Sequence, residues 1–210
     1  MSPRLKFWLA DLGIVVLALA AYGNSFSAGL IFDNAVIILN DARVRAVNWP
    51  QMHGIFYGTY WPQVPTDLYR PLTTLSYWFN FTALGNGVNP FGYHVVNFLL
   101  HAGNLLLLRR IAVHIAGVSP VAWIAAALFA VHPVTVEAVT NVVGRADLLA
   151  TLAVLTTAFA WLRSQETTSE ARSLLWRIFG GAAAFLGIFA KESGVMAIAA
   201  VGLLAVHAAG

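Results

Sequence analysis

Asp33, Arg70, His94, Glu137, Arg145, Asp147, Lys191 and Glu192 stand where long apolar runs of this chain should meet water. Ionisable groups are expensive in a chain that lives in lipid, and they gather where function needs them. Carboxylates and cations converging at one membrane surface suit a particular chemistry, in which an anionic, lipid-bound group is held while a proton is removed from an acceptor. These residues are far apart in sequence. The elements between them must therefore deliver them to one face.

The chain has 210 residues, of which 59% are apolar and only 10% charged, and its mean hydropathy is +0.73. Its apolar runs are too many and too long for one aqueous core, so it reads as a polytopic membrane protein. The net charge of +3 comes from Lys and Arg near span ends. That is the positive-inside pattern and excludes a nucleic-acid footprint. Cysteine is absent, which removes disulfides, thiolate metal sites and a cysteine nucleophile.

A first span is expected over about 7–23, retained as a membrane helix, with Arg4 and Lys6 before it on the cytoplasmic side and Asp11 near the inner interface. The aromatic-rich and proline-punctuated stretch 31–89 reads as a long first extracytoplasmic loop carrying interfacial helices, one of them over about 72–81. Its aromatic residues read as an interface belt. The triplet Asn80-Phe81-Thr82 fits a glycosylation acceptor pattern but decides nothing alone.

A second span over about 91–108 stops at Arg109-Arg110. Within it His94, Asn97, His101 and Asn104 fall within an arc of about 80° and cannot face lipid. A third span, 120–132, ends at His132-Pro133, where the proline favours a break. A short helix over 134–143 and a flexible join at Gly144 lead to a fourth span, about 147–162. A polar connector at 165–172 precedes a fifth span, about 176–190, and a sixth apolar stretch starts at Gly194. Gly180, Gly181 and Gly187 mark close helix packing. The expected fold is all-α, one membrane domain over 1–210 with about six spans. A last span ending at Gly210 without a flanking charge suggests the front part of something longer.

Several landmarks occur together: Phe32-Asp33 with Asn40 and Asp41, then Tyr69-Arg70-Pro71-Leu72-Thr73, and Tyr93-His94-Val95-Val96-Asn97 with His101. After these come His132-Pro133 with Glu137-Ala138-Val139, Gly144-Arg145-Ala146-Asp147 and Lys191-Glu192-Ser193-Gly194. In this order they resemble the N-terminal membrane part of the transmembrane and tetratricopeptide-repeat O-mannosyltransferases, a family of GT-C type. The resemblance covers about residues 30–195. It implies a multi-span enzyme that takes a mannose-like sugar from a polyprenyl-phosphate carrier. The sugar would pass, with inversion, to an acceptor hydroxyl such as a protein Ser or Thr on the extracytoplasmic side.

The resemblance implies that Asp33 is the catalytic carboxylate, with Glu137 as a second. Arg70 and Arg145 would hold the carrier phosphate, because a guanidinium grips two phosphate oxygens at once and keeps its charge, with Lys191 as a third cation on the carrier. His94, His132, Asp147 and Glu192 complete the expected substrate-binding set. Asp147 also suits the first turn of a helix. One departure stands out, since GT-C enzymes commonly carry two adjacent acids in the first loop and here Asn34 follows Asp33.

No cofactor or divalent metal is expected, and no zinc-ligand spacing occurs on one helix. The expected partners are membrane lipid, the lipid-linked donor and a protein or glycan acceptor, with no nucleic acid. Composition leans toward a bacterial inner membrane with a periplasmic active face; in a eukaryote the endoplasmic reticulum would take its place. Two alternatives come from other classes. A transporter would use the His94-to-Asn104 stripe as a path, and a non-catalytic membrane module would keep the fold without the chemistry.

Overall fold

In a computed structural model of the chain the described residues are 2–64 and 66–209. Among the described residues there is no strand, and the chain is an all-α membrane bundle. Its α-helices are α1 (Pro3–Tyr22), α2 (Trp49–Tyr57), α3 (Pro71–Trp78), α4 (Pro90–Ala116), α5 (Pro120–Val131), α6 (Val136–Thr140), α7 (Arg145–Glu166), α8 (Glu170–Ala190) and α9 (Met196–Ala209). Proline opens several of them, at a position where the missing N–H has no intrahelical acceptor to lose. Asn48, Asn89 and Ser169 cap α2, α4 and α8 by accepting a first-turn N–H.

Four helical runs, Arg4–Ser27, Pro90–Ala116, Val142–Glu166 and Glu170–Ala190, are long and apolar enough to cross a bilayer. The pair Pro120–Val131 and Pro133–Thr140, bent by 49°, is apolar enough only when taken together, as a broken span or a re-entrant loop, which gives four crossings by length and composition, or five with this pair counted as one. The break falls at His132-Pro133, as the proline dictates. Glu192–Ala208 is a shorter apolar run.

Polar groups inside the bundle are used for packing. The four residues of the α4 stripe are each at most 1% exposed. His94 Nε2 lies 3.1 Å from Ala28 O, and Asn97 Nδ2 donates to Asn141 O at 3.0 Å. Asn104 Nδ2 donates to Leu148 O, and His101 packs edge-on against Tyr22. The stripe is thus the glue between α4 and its neighbours and lines no path.

At the other end of the bundle Asp11 of α1 accepts from Arg109 and Arg110 of α4, and both guanidiniums lie over the Phe7 ring. Here the sequence reading of α4 stops short. The helix runs on to Ala116, because Arg109 is 3% exposed and ion-paired within the bundle. The polar connector between α7 and α8 also shrinks to residues 167–169.

Close packing of α7 on α8 depends on glycine. A Cβ at Gly187 would lie 2.6 Å from Ala153 Cβ, and one at Gly180 would lie 3.1 Å from Ala160 Cβ. Gly181, read with them, has nothing within 4 Å.

The segment 31–89 folds over one end of the bundle around Ile37, Ile38, Val44, Tyr60, Tyr77, Tyr93 and Val142. The interfacial helix expected over 72–81 is α3, continued by a π turn over Phe79–Ala83, and α2 is a second helix of this loop, whose position the sequence reading did not give. Trp78 Nε1 and Thr82 Oγ1 donate to Ala46 O and Val44 O, and Thr73 Oγ1 donates to Ala190 O at the end of α8. Asn80 is fully buried, so the glycosylation pattern there offers no accessible acceptor.

Candidate active site

A cavity of about 380 Å³ opens at the end covered by the 31–89 segment, lined by Asp33, Tyr60, Trp61, Arg70, Val134, Glu137, Ala138, Val143, Gly144, Asp147 and Lys191. Each charged lining group has its own element. Asp33 follows Phe32, whose φ of +51° is the one left-handed non-glycine conformation among the described residues. Such a backbone at a bulky residue costs on the order of 1–3 kcal/mol and persists only where its surroundings enforce it. Here the enforcing contact is Asn34, which is 5% exposed and accepts the Val143 N–H through Oδ1 at 3.0 Å. The position that departs from a paired-acid pattern therefore ties Asp33 to the turn before α7.

Glu137 occupies the first turn of the one-and-a-half-turn helix α6. Its approach to α7 requires Gly144, where a Cβ would fall 2.6 Å from Ala138 Cα and from the Glu137 carbonyl. The join read as flexible is a close contact. Among the described residues neither the Asp33 nor the Glu137 carboxylate has a hydrogen-bond or ion-pair partner. Both are exposed to the cavity opening.

The cations of the cavity are paired. Arg70, at the start of α3, grips Glu192 with Nε on Oε1 at 3.2 Å and Nη2 on Oε2 at 2.8 Å, and lies 5.0 Å from the Tyr60 ring centroid. These hydrogen bonds hold the Glu192 carboxyl below the usual carboxylate range. Lys191 Nζ donates to Asp147 Oδ1 at 2.6 Å. Lys191 caps α8 in an extended conformation, φ −159° and ψ 151°, so it and Glu192 reach different elements, as adjacent residues of extended chain do.

Arg145, His94 and His132 are not brought into the cavity lining. Arg145 is fully buried and donates to Asn97 Oδ1 at 2.8 Å, Ser76 O at 3.1 Å and Tyr93 O at 3.0 Å. Its guanidinium also lies over the rings of Tyr77 and Tyr93. A cation spent on α3 and α4 in this way is a scaffold bolt, and the expected phosphate contact does not fit that placement. His94 is buried against Ala28, and His132 Nδ1 accepts the Val134 N–H at the break.

The Drosophila melanogaster protein O-mannosyl-transferase Tmtc3 is 32% identical over 222 residues, covering 92% of this chain and 23% of that protein. The Mus musculus protein O-mannosyl-transferase TMTC2 is 35% identical over 198 residues, with 91% and 23% covered. The Homo sapiens protein O-mannosyl-transferase TMTC4 is 33% identical over 213 residues, with 90% and 28% covered. This chain belongs to that family. It spans about a quarter of the length of the curated relatives it matches. No family model and no solved structure matches it.

In this family member the sequence reading missed Tyr60 and placed Trp61 in an interface belt, yet both line the cavity. Arg43 sets Tyr60. It forks onto the buried Asp41, with Nη2 to Oδ2 at 2.7 Å, and reaches Thr59 O and Tyr60 O. The signal was the Asp41/Arg43 spacing, two residues apart with opposite charge. Burial raises the Tyr60 phenol, which shares a hydrogen bond with Tyr77, so Tyr60 is a protonated donor near neutral pH. Proton acceptance in the cavity is left to the carboxylates. Among the described residues no group of three His, Cys, Asp or Glu is arranged to hold a metal ion.

Proposed function

We propose that the cavity binds a polyprenyl-phosphate-linked, mannose-like sugar and transfers the sugar to an acceptor hydroxyl, a protein Ser or Thr, on the extracytoplasmic face. One observation carries the reading. Four separate chain segments bring two unpartnered carboxylates, Asp33 and Glu137, into one cavity with Arg70 and Lys191 at the end of a membrane bundle. The relatives are protein O-mannosyl-transferases, which supplies the reaction class, and the chain's quarter share of their length makes it a proposal here.

In this reading the acceptor O–H proton passes to the Asp33 carboxylate as the acceptor oxygen attacks the anomeric carbon. The bond from that carbon to the phosphate oxygen breaks, and the lipid phosphate leaves with the electron pair. Direct displacement inverts the sugar carbon. Glu137 orients the acceptor, while Arg70 and Lys191 take the charge that develops on the phosphate. The cations Arg4, Lys6, Arg109, Arg110, Arg163 and Arg172 sit toward the opposite end of the bundle, which supports an extracytoplasmic cavity by the positive-inside rule.

The test is transfer from a polyprenyl-phosphate mannose donor to a Ser/Thr peptide by the purified protein in nanodiscs. Asp33→Asn should lower transfer roughly a hundred- to ten-thousandfold with membrane insertion unchanged. Near-normal transfer by that variant removes Asp33 from the step. Donor binding without transfer by the unaltered protein would favour a non-catalytic membrane module.

A further inference from the structure

Charge in and beside the cavity does not match the donor it would receive. Asp33, Glu137, Asp147 and Glu192 are four carboxylates against two cations, Arg70 and Lys191, and both cations are already engaged by carboxylates. A phosphate entering this arrangement meets an excess of negative charge and no free cation among these residues. The two ion pairs differ in how readily they open. Glu192 is 54% exposed at its side chain, whereas Arg70 is 14% exposed and rests on the Tyr60 ring.

We infer that Glu192 is a displaceable counter-ion, occupying on Arg70 the two-oxygen position that the phosphate of an isoprenyl-phosphate ligand takes over when it binds. The inference rests on the donor reading above and deepens it. A carboxylate and a phosphate present the same pair of acceptor oxygens to a guanidinium fork, so Nε and Nη2 of Arg70 can pass from one to the other without moving. Tyr60 keeps the guanidinium in place during the exchange.

The backbone beneath Glu192 stays put. Gly194 is packed so tightly on Gly187 that a Cβ would lie 2.3 Å from the Gly187 carbonyl group. Glu192 opens a single 3-10 turn, Glu192–Val195, so its side chain can rotate toward water while the turn remains anchored. The exchange carries one negative charge out as the phosphate brings its own charge in. Until then Arg70 is held in its working geometry, with its charge compensated.

The experiment measures binding of farnesyl phosphate to the nanodisc-embedded protein, with farnesol and inorganic phosphate as comparators. The ion pair that must break is solvent-exposed, so Glu192→Gln and Glu192→Ala should each tighten farnesyl phosphate by about two- to fivefold and leave farnesol unchanged. Arg70→Ala should weaken farnesyl phosphate and abolish the gain when combined with Glu192→Gln. A Glu192 with a merely structural role would give weaker or unchanged binding in both variants.

That outcome, with Arg70→Ala still weakening the unaltered protein, overturns the exchange and spares the donor reading. Loss of any Arg70-dependent binding of farnesyl phosphate in all proteins overturns both. Equal gains for farnesyl phosphate and inorganic phosphate would place the exchange on the phosphate alone and sink the isoprenyl part. Elution profile and thermal unfolding identify a variant that fails to fold, and the other substitution then decides.

Discussion

Two arginines of this chain look alike in sequence and have opposite fates. Arg70 is at the cavity with its fork on a half-exposed carboxylate, and Arg145 is sealed among three carbonyl-type acceptors and two aromatic faces. The distinction predicts different mutant behaviour. Arg145→Gln leaves Asn97 Oδ1, Ser76 O and Tyr93 O without their donor, and should cost roughly 2–4 kcal/mol of stability. The folded fraction should keep its affinity for farnesyl phosphate. Thermal unfolding and a binding titration on one preparation check this, and a stable Arg145→Gln protein that has lost phosphate binding would return Arg145 to the site. At this scale residue types were legible in the chain, but not which of two guanidiniums faces the cavity. That choice is made by the acceptors nearby, and those come from α3 and α4.

Elements position the carboxylates through contacts with no room for a side chain. Glu137 rides on a helix of only five residues, too short to hold itself, and the close approach of α6 to Gly144 does the holding. Gly144→Ala should therefore push α6 away, costing about 1–3 kcal/mol and moving Glu137 within the cavity. Gly181→Ala, where a methyl meets nothing within 4 Å, should be harmless to stability and to transfer. Thermal unfolding with a transfer assay on both variants compares them directly; equal behaviour would refute the packing account. The glycine-rich face of α8 was legible as a packing surface. That Gly144 serves contact and not flexibility was not, because its φ of −61° is ordinary and only the neighbouring helix supplies the constraint.

For the whole molecule the organising fact is that the two ends of the bundle differ in charge, with three acids and two cations lining the cavity and Arg4, Lys6, Arg109, Arg110, Arg163 and Arg172 toward the other end. The proposed orientation follows, and a chain without cysteine makes it simple to test. With Gln63→Cys, beside the cavity segment, a membrane-impermeant maleimide added outside intact cells or vesicles of known sidedness should label the protein. With Thr168→Cys, in the turn between α7 and α8, labelling should need permeabilisation. The reverse pattern would put the cavity on the cytoplasmic side and sink the extracytoplasmic reading.

The all-α membrane class, the break at His132-Pro133, the buried face of α4 and the family followed from the sequence by itself. Hydropathy, proline chemistry and helical periodicity are local properties, and ordered landmarks survive at about a third identity. Tertiary structure alone decided that Asp33, Arg70, Glu137, Asp147 and Lys191 share one cavity while Arg145 and His94 do not. It also decided that Asn34 is an anchor and that Tyr60 and Trp61 belong to the site. The physical reason is common to all of these. Which way a polar side chain faces at the end of a span depends on partners tens of residues away, and no local pattern in the chain encodes them.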